Sequence, residues 1–117
     1  MEVTDVAIVA GVGPGTGAAL ARAFAREGYS VGLLSRHAES SDPIAGEIRT
    51  SGGKALFVAT DVTNRESVND ALAKIRAQLG PITALAHNAS GYGRGSFLEM
   101  DPEQVRQSFE ANVMGAV

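Results

Sequence analysis

Two rhythms of apolar residues alternate along this chain. Val6-Ala-Ile-Val-Ala10 is an unbroken apolar run, the pattern of a strand buried on both faces. Beyond a glycine-rich turn, Leu20, Ala23 and Phe24 recur at helical spacing and predict a helix over 15–27. Gly28 then falls where a left-handed C-terminal cap would sit. Val31, Leu33 and Leu34 predict a second strand, Ser30–Ser35. Ser41-Asp42-Pro43 reads as a helix start with proline at the first helical position. Ile44, Ala45 and Ile48 supply that helix's core face, and Gly52-Gly53 ends it. A third strand is predicted over 55–60. Thr63-Asn-Arg-Glu66 has the form of a capping box. The helix it opens carries Val68, Ala71, Leu72, Ile75 and Leu79 on one face, and Gly80-Pro81 stops it. A fourth strand over 82–86 leads into the glycine-rich loop Ser90-Gly-Tyr-Gly-Arg-Gly-Ser96. Asp101-Pro102-Glu103 begins a last helix, with Val105, Phe109, Val113 and Met114 among its apolar residues.

Four strands each followed by a helix imply an α/β fold, a doubly wound parallel sheet with helices on both faces. Right-handed crossovers then give strand order 3-2-1-4. The switch point falls between the first and fourth strands, and ligands of such sheets bind beyond the carboxyl ends of the strands there. The glycine-rich turn occupies that place.

At 117 residues the chain is one domain at most, and 44% hydrophobic residues can furnish a core. A net charge of −3 gives no footing for nucleic acid or an anionic membrane. There are no cysteines, and His37 and His87 lie far apart, so neither a disulfide scaffold nor a zinc site is expected. Glu2 and Asp5 stand where a secretory signal would be basic, and no apolar run approaches a membrane span. A soluble, cytoplasmic protein is expected.

The first turn holds the chemistry. Gly11, Gly13, Gly15 and Gly17 lie between the first strand and its helix, with Thr16 among them. Glycine allows positive φ and brings bare backbone to a ligand. The helix end adds unpaired N–H groups and a positive dipole, so the turn suits a pyrophosphate. The spacing is not G-x-G-x-x-G: the third glycine would fall on Thr16 or Ala18. No Gly-Lys-Ser/Thr follows either, which excludes the phosphate loop of the NTPases. Gly11, Gly15 and Gly17 instead give G-x-x-x-G-x-G.

The end of the second strand selects the dinucleotide. An acid there would hold the ribose hydroxyls of NAD. This chain has Ser35-Arg36-His37, with no carboxylate before Glu39. A guanidinium can fork onto a 2′-phosphate, so Arg36 favours NADP over NAD. His37 is either an exposed loop residue or an added phosphate contact. Asp61, closing the third strand, either accepts from the adenine amino group or serves as a turn residue before the next helix. Asn88-Ala89 after the fourth strand either admits a cofactor close to the backbone or ties strand ends together through the Asn88 amide. His87 reads as a packed strand-end residue. Tyr92 and Arg94 belong either to a plain loop or to a flap over the reacting end of the cofactor.

Taken together these positions resemble the short-chain dehydrogenase/reductase family, over essentially the whole chain. The family's Thr-Gly-x-x-x-Gly-x-Gly motif appears as Ala10-Gly11-Val-Gly-Pro-Gly15-Thr-Gly17, with Ala10 in place of the threonine. Asp61-Val62 is similar to the family's adenine-contacting pair. His87-Asn88-Ala89-Ser90 is similar to its Asn-Asn-Ala-Gly segment, with His and Ser as departures. Asn112 matches the helix asparagine of the catalytic tetrad. The resemblance implies hydride transfer between a nicotinamide cofactor and a carbonyl or alcohol.

It also implies a tyrosine base, a lysine four residues later and a serine. A phenol of pKa about 10 is a poor base at neutral pH without a neighbouring cation. The tyrosines are Tyr29 and Tyr92 and the lysines Lys54 and Lys74, so no Tyr-x-x-x-Lys occurs. The expectation is an N-terminal cofactor-binding part, truncated after the fourth βα unit and inactive alone. An unpaired fourth strand or last helix would then favour a homo-oligomer. The rival expectation is a non-enzymatic, nucleotide-binding or self-associating half-fold.

Overall fold

The computed structural model describes residues 5–12, 15–89 and 101–112, with the side chains of Ser40, Ser108, Ala111 and Asn112 outside that description. The elements alternate throughout: β1 (Val6–Ala10), α1 (Thr16–Arg26), β2 (Ser30–Ser35), α2 (Ala38–Thr50), β3 (Ala55–Ala59), α3 (Arg65–Leu79), β4 (Ile82–His87) and α4 (Pro102–Asn112). The four strands are parallel in the order β3-β2-β1-β4, as the crossover rule requires.

β1 sits at the centre and is buried along its whole length. Successive side chains of a strand point to opposite faces. Val9, Val31 and Leu33 therefore pack on one face with Ala18 and Ala21 of α1 and Ile44, Ala45 and Ile48 of α2. Val6, Ile8, Ala10 and Leu34 pack on the other with Ala71 and Ile75 of α3. At Gly32 the space a side chain would take is filled by the Cδ1 methyls of Ile75 and Ile8. β4 flanks β1 with one irregularity, since Val6 aligns with Ile82 but Ala7 with Ala84, leaving Thr83 as the extra residue. Leu85, the register partner of Ile8, is 61% exposed.

Besides α1, one residue shorter than expected at each end, and β3, one residue shorter at its carboxyl end, three boundaries differ from the sequence expectation. α2 begins at Ala38, so Pro43 is its sixth residue and its missing N–H forfeits a bond to the Glu39 carbonyl. The cause is Ser41, which is fully buried and hydrogen-bonded to Ser35, drawing the segment ahead of the proline against the end of β2. α3 is capped by Asn64 and not by Thr63: Asn64 Oδ1 accepts from Ser67 N–H at 3.1 Å. Thr63 is diverted because both its N–H and its hydroxyl donate to Asp61. β4 runs one residue further than expected, to His87, because the ladder with Ala10 continues. Gly28 has φ +92°, the left-handed cap anticipated from its position. No helix among the described residues is long and apolar enough to cross a membrane.

Candidate nucleotide site

Parallel strands place all their carboxyl ends on one edge of the sheet, and backbone hydrogen bonds join those ends to one another. Gly11 N–H donates to Leu34 O at 2.8 Å, Thr60 N–H to Ser35 O at 2.8 Å, and Asn88 N–H to Ala10 O at 2.7 Å. The Gly11 turn, Ser35-Arg36, Asp61-Val62 and Asn88-Ala89 thus share this edge. Gly13 and Ser90, with the loop holding Tyr92 and Arg94, lie outside the described residues. So does the side chain of Asn112, whose backbone lies at the end of α4.

The glycines of the turn are not equivalent. Gly11 has φ +92°, and a Cβ there would stand 2.3 Å from Ala89 N and 2.6 Å from Asn88 C. A Cβ on Gly17 would stand 2.3 Å from Gly11 O. The protein's own backbone therefore requires both to be glycine. At Gly15 a Cβ would meet nothing within 4 Å among the described residues. Gly15 is the N-cap of α1, with no side-chain cap bond and no acidic residue in the first turn. The first intrahelical bond runs from Ala19 N–H to Gly15 O, so the N–H groups of Thr16, Gly17 and Ala18 precede it. Among the described residues this positive helix end is uncovered and stands beside open space.

Asn88 serves as a tie: its Nδ2 donates to Gly11 O at 3.0 Å while its own N–H holds Ala10. Ala89 supplies the backbone against which Gly11 packs. Asp61 is engaged by the turn. Its Oδ1 accepts from the Thr63 hydroxyl at 2.6 Å and from Thr63 N–H at 2.9 Å. Those two bonds, the hydroxyl first, hold its carboxyl below the ordinary carboxylate range; the Arg36 charge adds to them and partial burial opposes. Val62 turns its side chain to the α3-side core.

Arg36 is exposed at the end of β2. Ser35 is not available as a free hydroxyl, since its Oγ donates to His37 O at 3.0 Å and contacts Ser41 Oγ. Ser41 and Thr63 were the participants missed from sequence. Ser41 read as a helix-start residue and Thr63 as a cap, and nothing local in the sequence signals their partners. A hollow of about 310 Å³ lined by Arg22, Arg26, Ile48, Ser51 and Gly53 lies at the opposite edge, by the C-terminal ends of α1 and α2.

Residues 5–117 match the family model for short chain dehydrogenases. The chain is 38% identical over 94 residues to 2,5-dichloro-2,5-cyclohexadiene-1,4-diol dehydrogenase LinX of Sphingobium indicum, covering 80% of this chain and 38% of that protein. It is 34% identical over 111 residues to cis-4-hydroxycyclohexanecarboxylate dehydrogenase of Sinomonas cyclohexanicum, covering 94% of this chain and 44% of that one. Among solved structures, the F189W variant of actinorhodin polyketide ketoreductase with NADPH superposes with a TM-score of 0.90 at 28% identity, over 99% of this chain and 45% of that one. A 3-ketoacyl-ACP reductase from Sinorhizobium meliloti gives 0.88 at 28% identity, over 95% and 44%. The chain thus spans less than half the length of each of these relatives. A family model matched from Asp5 onward, on a sheet of the expected order with its glycine turn at the switch point, makes this chain a member of the short-chain dehydrogenase/reductase family of oxidoreductases.

Proposed function

We propose that this chain forms the NADP-binding part of a short-chain dehydrogenase/reductase whose reaction is hydride transfer between the nicotinamide and a carbonyl or alcohol. The observation that carries the reading is Gly15. Packing demands glycine at Gly11 and Gly17, but among the described residues nothing fills the space at Gly15, and a helix end without a side-chain cap faces it. A diphosphate fits both the space and the dipole. Gly13 and Thr16 would complete that cradle. Arg36, on the same edge, would take the 2′-phosphate in a forked ion pair, where an acid would repel it. Asp61 and Val62 would border the adenine, and Asn88 and Ala89 the ribose. Crystallisation of a structural neighbour with NADPH accords with this choice.

The cofactor supplies the hydride; this chain's residues bind and orient it. Asn112 is the one member of the family's catalytic tetrad that the chain carries, and it would support a water relay. With no Tyr-x-x-x-Lys in these 117 residues, the chain alone is expected to bind without turning over a carbonyl substrate.

Calorimetric titration with NADP and NAD tests the reading. Arg36→Ala is expected to weaken NADP by roughly 10- to 100-fold, the worth of a charge-assisted hydrogen bond, and to leave NAD unchanged. Equal losses for both, or none, would refute the assignment. The second reading is a self-associating half-fold without nucleotide. It is favoured by the exposure of Leu85 at 61%, Val105 at 49% and Phe109 at 52%. No binding of either dinucleotide, with concentration-dependent light scattering, would select it.

A further inference from the structure

The two residues that bracket Arg36 are held by a chain of hydroxyls. Ser41 is a serine with 0% exposure inside a helix. Its Oγ meets Ser35 Oγ, and Ser35 Oγ meets the carbonyl of His37 at 3.0 Å. A serine hydroxyl has one proton to give. Ser35 must spend its proton on His37 O, because a carbonyl cannot donate. Ser41 is therefore the donor to Ser35, and the order runs Ser41 to Ser35 to His37 O. The main chain before Arg36 is pinned as well, by Gly11 N–H on Leu34 O and Thr60 N–H on Ser35 O. Residue 35 is thus held by β3, residue 37 by the hydroxyl chain, and Arg36 stands between them.

We propose that Ser41 is a positioning residue for Arg36: it fixes the turn from β2 into α2 and so sets the preference for a 2′-phosphorylated nucleotide. The inference rests on the reading of Arg36 as the 2′-phosphate ligand. It also accounts for a helix that starts five residues ahead of its proline, since the buried Ser41 must lie against Ser35 for the chain of hydroxyls to close. Ser41 touches no nucleotide in this scheme. Its influence reaches the ligand through the backbone of residues 35–37.

The test is calorimetric titration of NADP and NAD on the full chain carrying Ser41→Ala, Arg36→Ala or both. Ser41→Ala is expected to lower the NADP-over-NAD ratio roughly three- to tenfold, the worth of one hydrogen bond, with NAD affinity unchanged. In the Arg36→Ala background it should change the ratio no further. Amide exchange at His37 and Ala38 should quicken. An equal loss for both nucleotides, or unaltered exchange, would make Ser41 structural only and overturn the proposal. A ratio lost in Arg36→Ala but kept in Ser41→Ala would overturn it while leaving the phosphate reading intact. A ratio unmoved by Arg36→Ala would overturn both. Should Ser41→Ala fail to fold by circular dichroism, Ser35→Ala removes the middle link at a half-buried position. An unchanged ratio in that variant would be equally fatal.

Discussion

Alanine substitutions at Gly11 and Gly15 should have opposite consequences. At Gly11 a side chain meets two penalties. An L-residue at φ +92° pays about 1–2 kcal/mol for the left-handed backbone. Its Cβ would also stand 2.3 Å from Ala89 N, so the two segments must part by about 1 Å to reach ordinary contact. Neither side yields freely. Ala89 follows Asn88, whose N–H holds Ala10 O at 2.7 Å and whose Nδ2 holds Gly11 O at 3.0 Å. Separation strains both bonds, each worth about 0.5–1.5 kcal/mol. The expected loss for Gly11→Ala is therefore about 2–5 kcal/mol. A domain of this length has roughly 6–17 kcal/mol to lose.

At Gly15 the same substitution adds a methyl that meets none of the described residues. Stability should change by less than about 1 kcal/mol. Nucleotide affinity should fall, because the methyl stands where the diphosphate is proposed to lie. Urea unfolding gives the first quantity: at a slope of about 2 kcal/mol/M, Gly11→Ala should lower the midpoint by roughly 1–2.5 M. Titration with NADP gives the second. A Gly15→Ala chain that binds NADP as well as the parent would refute the diphosphate cradle. A Gly11→Ala chain unfolding at the parental midpoint would refute the packing account of that glycine.

Two further predictions concern the turn between β3 and α3. Asn64→Ala should cost about 1 kcal/mol of unfolding free energy, the worth of a helix N-cap, and an Asn64→Ala chain as stable as the parent would refute that cap. Thr63→Ala should raise the Asp61 pKa toward its ordinary value. Because that folded-state pKa is depressed, the carboxylate's contribution is complete above the unfolded pKa of about 3.9 and disappears as pH falls through the lower folded value. Thermal unfolding of the parent below about pH 4 should thus be steeper in pH than that of Asp61→Asn. Parallel curves would mean that Asp61 makes no such contribution.

The fold was legible because its signals are local and repeated. Five consecutive apolar residues at Val6–Ala10 could only be a strand covered on both faces, and the observed burial is complete. Gly28 announced its left-handed conformation by position alone. The candidate site was legible in part for the same reason: Gly11, Arg36, Asp61 and Asn88 each close or follow a strand, so strand order alone brings them to one edge. The missing parts were hydrogen bonds between residues whose local roles looked settled. Asp42-Pro43 is a sound helix start in isolation, and only the burial of Ser41 against Ser35 moves that start to Ala38. Thr63 fits a capping box until Asp61 claims both its donors. In each case a side chain had two partners of similar worth, and tertiary position decided between them.

The same edge carries a dependence that runs across the whole chain. The glycine turn follows β1, but what closes it is Asn88, 77 residues later, bonded to Gly11 O and backed by Ala89. The turn therefore cannot take its observed form until β4 has docked on β1. β1 is in turn buried by helices that precede β4, so the central strand can pack before the edge that completes the turn arrives. The form of the cradle is thus coupled to the docking of β4, the strand that carries the exposed Leu85. A ligand seated on that turn would stabilise β4 by mass action, as RT ln(1 + [L]/Kd), through contacts that β4 itself need not make. The physical reason is that Gly11 O accepts from Asn88 Nδ2 at 3.0 Å and Gly11 packs on the Ala89 backbone, so whatever holds the turn in place also holds the end of β4.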